Sequence, residues 1–309
     1  MNATQRSRLE EPQATTPSHV TPGRSHRRSV GEIEFGRRTL FIAAALLSPV
    51  ALALLYNSVG LLQAVGATGT PLGSPGGQLG LLVSAILIAL ISHSSRWSTI
   101  GPAALTFWAG AFAVVLMYET WSSSSQSPSE IEALLQWSQL PTIVFFICCA
   151  ATLATRFVRR RREHGELRGS RSKYEGLMIT ISAFLLSFAI LVLLYAIAPR
   201  TVAPLIIRTP EFMSPPGANT VLLAPGIALI AFVITWLATR SVLGVQLAAW
   251  IVLLIPGIVL VPLITTLSGA IATPGQPDSI ALAMTMPVAG VVGLVIAVTT
   301  HGIALMHKR

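Results

Sequence analysis

Charge is scarce in this chain. Of its 309 residues only 11% are Asp, Glu, Lys or Arg, about half the share of a soluble domain. None of them stands in the middle of a long apolar run. Proton- and sodium-coupled pumps usually place a carboxylate at mid-membrane, where its pKa is tuned or it ligates the ion. Its absence argues against ion-coupled transport, although backbone carbonyls can bind sodium without one. No Walker A stretch occurs, so an ATP-driven role requires a separate ATPase. There is no Gly-x-Ser-x-Gly elbow and no evident acid/base pair, and no enzymatic reaction is expected.

Cysteine and histidine are equally uninformative as chemistry. The two cysteines, Cys148 and Cys149, are neighbours inside an apolar run. Adjacent helical residues point about 100° apart, which does not suit a mutual disulfide. His93, His164, His301 and His307 are scattered without metal-ligand spacing. No metal and no cofactor is expected, and none of these histidines lies deep enough in an apolar run to hold a haem.

What the chain has is apolar length. Hydrophobic residues make up 52% of it, and its mean hydropathy is +0.69. The class is therefore an integral membrane protein. Eight apolar runs cover roughly 39–59, 79–95, 100–118, 138–155, 176–197, 220–238, 245–265 and 283–306, each near the ~20 residues a bilayer requires. The second is the shortest.

The net charge of +9 points to topology rather than nucleic acid, because the basic residues flank spans. They sit in the N-terminal tail, at Arg96, in a central segment beginning Arg156-Phe-Val-Arg-Arg-Arg-Arg162, at Arg240 and at Lys308-Arg309. The alternate loops hold only Arg200 and Arg208, with Glu130, Glu132, Glu211 and Asp278. The positive-inside rule then places both termini in the cytoplasm, in the cell membrane. Arg159, Arg160, Arg161 and Arg162 are the candidates for docking anionic lipid headgroups or a protein partner.

The expected organisation is a disordered basic tail over 1–38, a four-helix half over 39–155, a basic hinge over 156–174 and a second four-helix half over 175–309. The segment Ile131–Trp137 reads as a short interfacial helix with Trp137 at headgroup level, and Tyr56 and Tyr195 as members of an aromatic belt. The halves resemble one another. Leu46-Leu47-Ser48 and Leu54-Leu55-Tyr56 repeat as Leu185-Leu186-Ser187 and Leu193-Leu194-Tyr195 at offset 139. Ser98 and Gly101 then match Ser241 and Gly244 at offset 143, and Pro141 and Ala151 match Pro287 and Ala297 at offset 146. An offset that grows only across loops is what a duplicated chain with insertions leaves. An even number of spans per unit keeps both copies in the same orientation, as in transporters with parallel repeats.

Within the spans, small and kinking residues remain. Ser48 and Ser187 occupy equivalent mid-span positions. Pro256-Gly257 at the centre of the seventh run should kink or break that helix. These four are the substrate-path candidates, with helix packing as the plainer role. Gly290 and Gly293 should mark a face that another helix approaches closely. The expected function is permease-like, for a neutral, apolar or lipid-like substrate. The alternative is a structural or accessory subunit that docks a cytoplasmic partner through the basic hinge. An open polar cavity between the halves discriminates the two.

Overall fold

The computed structural model describes residues 30–68, 75–121, 137–164, 173–200, 218–263 and 277–307. Among them there is no strand. The helices are α1 (Val30–Thr68), α2 (Pro75–His93), α3 (Ile100–Trp121), α4 (Leu140–Glu163), α5 (Lys173–Ile197), α6 (Ala218–Leu237), α7 and α8 (Pro277–His307). Helix α7 is continuous, α-helical over Val242–Ala248 and π-helical over Ala249–Leu260. Seven of the eight are long and apolar enough to cross a membrane, and the shorter apolar stretch of α6 is Leu223–Leu237. In hydrocarbon every backbone group must be satisfied within its own segment, and such runs are helical for that reason. The protein is a multi-pass helical membrane protein.

Successive spans alternate in direction, and four contacts show which helix ends lie together. Gln63, late in α1, bonds Met284, early in α8. Ser95, in the short turn after α2, bonds Gly302 near the end of α8. Tyr195 at the end of α5 bonds Asp278 at the start of α8. Arg240, between α6 and α7, reaches Glu175 at the start of α5. Arg96, the arginines of α4 and Arg240 therefore share one end of the bundle, the basic end. Helix α1 begins and α8 finishes at that end.

Around the bundle the packing order is α2, α1, α3, α4, α6, α5, α7, α8 and back to α2. Helix α8 also packs on α4, α1, α5 and α6, and 78% of its span is buried, against 22% for α5. Composition explains the difference. Lipid tails are as apolar as leucine, so close approach rather than hydrophobicity selects the central helices. Helix α8 offers Ala289, Val291, Val292 and Val295, and α4 offers Ala150, Ala151 and Ala154, all buried. Helix α5 turns Leu185, Phe188 and Val192 outward.

Two expectations need correction. The tail was expected to be unstructured through residue 38, yet α1 begins at Val30. No proline intervenes between Val30 and Pro49. Helix α4 runs through the arginines of the basic segment to Glu163. Tyr56 is not in an interfacial belt. Helix α1 continues to Thr68, so Tyr56 lies three turns inside it, buried, with its ring edge on Phe112 at 5.4 Å. Around Pro256 helix α7 leaves α-geometry, and the wider π turn carries the chain through to Leu263. Trp137 is half-buried against the core. The remainder of the expected interfacial helix, the tail 1–29, the hinge residues 165–172 and Arg208 lie outside the described residues.

Candidate functional site

The two mid-span serines differ. Ser48 is buried and donates to the Ala44 carbonyl of its own helix at 2.6 Å. Ser187 is equally buried, and its hydroxyl has no partner. Helices α1 and α5 are not packed neighbours, so the serines form no common site.

Gly257 sits where α7 crosses α8. A Cβ there would meet the Met286 carbonyl oxygen, and would stand 2.6 Å from the Gly290 nitrogen and 2.7 Å from its Cα. Gly293 lies against Leu253 and Ala249, again at backbone distance. The two glycines read as a packing face in α8 receive α7 directly. Pro256 contributes no N–H to the π-helical ladder, which leaves the Ile251 carbonyl without its i+5 donor. Pro256 and Gly257 thus belong to a tight helix crossing.

Between the halves, a void of about 10 Å³ is bordered by Ser92 and Ser95, by Leu105 and Cys148, and by Thr299 of α8. Its size suits one water. Far from it, at the end opposite the arginines, buried polar atoms gather on helices from both halves. Gln63 is fully buried. Its Nε2 donates to the Met284 carbonyl at 3.1 Å, while its Oε1 has no partner. Thr285, the next residue of α8, has an unpaired buried hydroxyl, as does Thr142 of α4.

The basic end carries a charged concavity. A cleft of about 340 Å³ is lined by Arg96, by Arg159, Arg162 and Glu163 of α4, and by Leu305 and Met306 of α8. Arg159 Nε lies 3.6 Å from Glu163, an exposed pair at i,i+4. Helical geometry separates the four arginines of the run. Arg159 and Arg162, three apart, share the face on the cleft. Arg161 instead places its guanidinium 4.7 Å from the Phe157 ring centroid, and Arg160 is exposed outside the cleft lining. Sequence reasoning found this run but not Arg96 as its companion, because residues sixty positions apart meet only once α2 and α4 both dock on α8. Gln63 was missed because its apolar run ends before it, whereas the helix does not.

Among the described residues no three His, Cys, Asp or Glu side chains come together in a metal-binding group. No known protein family, no characterised protein and no solved structure matches the chain.

Proposed function

We propose that the protein is an accessory subunit of a membrane complex, oriented with both chain ends and the arginine run in the cytoplasm, and that it docks an acidic cytoplasmic partner through Arg160 and Arg161. The observation that carries this reading is the close packing of α8 where the halves meet. Where the halves meet, α8 packs on α4, α2 and α1, and the void beside Ser92, Ser95 and Thr299, toward the basic end, has room for about one water. The arginine-bearing end of α4, by contrast, extends as helix with Arg160 exposed. No enzymatic reaction is part of this reading. Purification in mild detergent tests it: a stoichiometric partner is expected, and charge reversal by Arg160→Glu with Arg161→Glu should release it. A protein that purifies alone under conditions that preserve other membrane complexes would overturn the proposal.

The duplication read from the sequence has support in the packing. Within the first half α1 packs on α2 and α3, and α3 packs on α4. Within the second, α5 packs on α6 and α7, and α7 packs on α8. Across the halves, α4 on α6 answers α8 on α2, and α4 meets α8 itself. This is the set of pairs that a two-fold axis along the membrane normal generates. The packing of α1 on α8 is the main departure from it.

A second reading, a permease for a neutral, apolar or lipid-like substrate, rests on that pseudo-symmetry and on the unpaired Gln63 and Thr285 oxygens along the α1–α8 seam. It requires a state in which the halves part. Reconstitution into vesicles with a fluorescent lipid, read as reagent-accessible signal, tests it. Bleaching beyond the outer-leaflet fraction supports a lipid path, and a rate equal to empty vesicles removes it.

A further inference from the structure

The cleft at the basic end carries an inference beyond partner docking, and it does not depend on that reading. Its charge is unbalanced. Among the described residues, three arginines face one carboxylate, Glu163, which already pairs with Arg159. Arg162 has no ion pair among the described residues, and Arg96 only leans over the Trp97 ring at 5.9 Å. Guanidinium groups converging from two directions match the geometry of a phosphate, whose oxygens accept paired N–H donors. The other wall is apolar, Leu305 and Met306. The depth is also diagnostic. The apolar run of α4 ends just before Arg156 and that of α8 reaches Met306, so the cleft arginines stand just past the apolar runs, at the level where a bilayer keeps its lipid phosphates. Its volume, about 340 Å³, falls in the range of ordinary small-ligand sites, about 300–1,000 Å³.

We propose that this cleft is a binding site for an anionic glycerophospholipid. Arg96 and Arg162, with Arg159, hold its phosphate, and Leu305 and Met306 cover the adjoining glycerol and first acyl carbons. Such a lipid bridges the turn after α2, the end of α4 and the end of α8, three segments drawn from both halves. Basic pockets between spans are where anionic headgroups bind specifically rather than as a diffuse layer.

The test uses the purified full-length protein in neutral detergent, with binding followed by native mass spectrometry. Phosphatidylglycerol should bind saturably and phosphatidylcholine should not. Replacing two cleft arginines, Arg96→Gln with Arg162→Gln, should weaken phosphatidylglycerol about tenfold. Replacing two arginines outside the cleft, Arg160→Gln with Arg161→Gln, removes the same formal charge and should weaken it less than about twofold. Equal losses from the two pairs would mean a diffuse basic surface and overturn the site. So would equal binding of phosphatidylcholine by the unaltered protein, a result that needs no variant. Competition by inorganic phosphate or glycerol 3-phosphate at the same concentration as the lipid would make the ligand a soluble phosphate and overturn the lipid assignment.

Discussion

Gln63 Nε2 donates to the main-chain carbonyl of Met284 at 3.1 Å, joining residues 221 positions apart and tying α1 to the central helix α8. The same amide leaves its Oε1 buried and unpaired. The two effects oppose each other. A side-chain hydrogen bond between spans contributes about 0.6 kcal/mol on average, and an unsatisfied buried acceptor costs at least as much. Gln63→Leu, which keeps volume and discards both, is expected to change stability by less than about 1 kcal/mol. Gln63→Ala also leaves a cavity and should cost about 2 kcal/mol or more. Thermal unfolding in detergent separates the two, and a large loss from the leucine variant would show that the hydrogen bond itself dominates.

The crossing of α7 and α8 gives an ordered series. In Gly257→Ala the new methyl meets backbone atoms of Met286 and Gly290, which cannot yield without moving α8. In Gly290→Ala it meets the Ile258 side chain, with Cγ1 at 2.5 Å and Cδ1 at 3.1 Å, which can change rotamer. Overpacking costs about 1–3 kcal/mol, so Gly257→Ala should approach the upper end and Gly290→Ala the lower. Midpoints of thermal aggregation in one detergent would rank them. The reverse order would mean that α7, not α8, is the helix that yields.

Tyr56 is buried with an unpartnered hydroxyl and an edge-on contact to Phe112. Tyr56→Phe keeps the ring contact and removes the orphan donor, so stability should be unchanged or rise by about 1 kcal/mol. Tyr56→Ala should cost about 3–5 kcal/mol. A clear loss in the phenylalanine variant would reveal that the hydroxyl has a partner, such as a buried water.

Orientation is testable with little background, since Cys148 is buried and Cys149 only partly exposed. Arg200 and Arg160 lie at opposite ends of the bundle, and both are exposed. The proposed topology expects Arg200→Cys to react with a membrane-impermeant maleimide in intact cells, and Arg160→Cys to react only after lysis. Replacing Arg200 also removes its 3.2 Å ion pair with Asp278, but exposed pairs contribute only about 0–1 kcal/mol, so folding should survive. The opposite labelling pattern would invert the protein and move the arginine cleft to the other leaflet.

Sequence alone determined the class of this protein and the order of its spans. Those features are local: a run of about 20 apolar residues has no stable form in hydrocarbon except the helix, and basic residues mark alternate ends one loop at a time. The glycine face of Gly290 and Gly293 was legible for the same reason, since a missing side chain advertises close approach whatever the partner. Tertiary structure decided the rest. That α8 became the centre while α5 faces lipid depends on which small-residue faces meet, although α5 is the more apolar of the two. That Tyr56 is interior follows from how far α1 extends beyond its apolar run. The arginine run announced a docking surface, but only the packing of α2 and α4 onto α8 brought Arg96 to Arg159 and Arg162, because a convergent charged cleft is a relation between helices and no single segment encodes it.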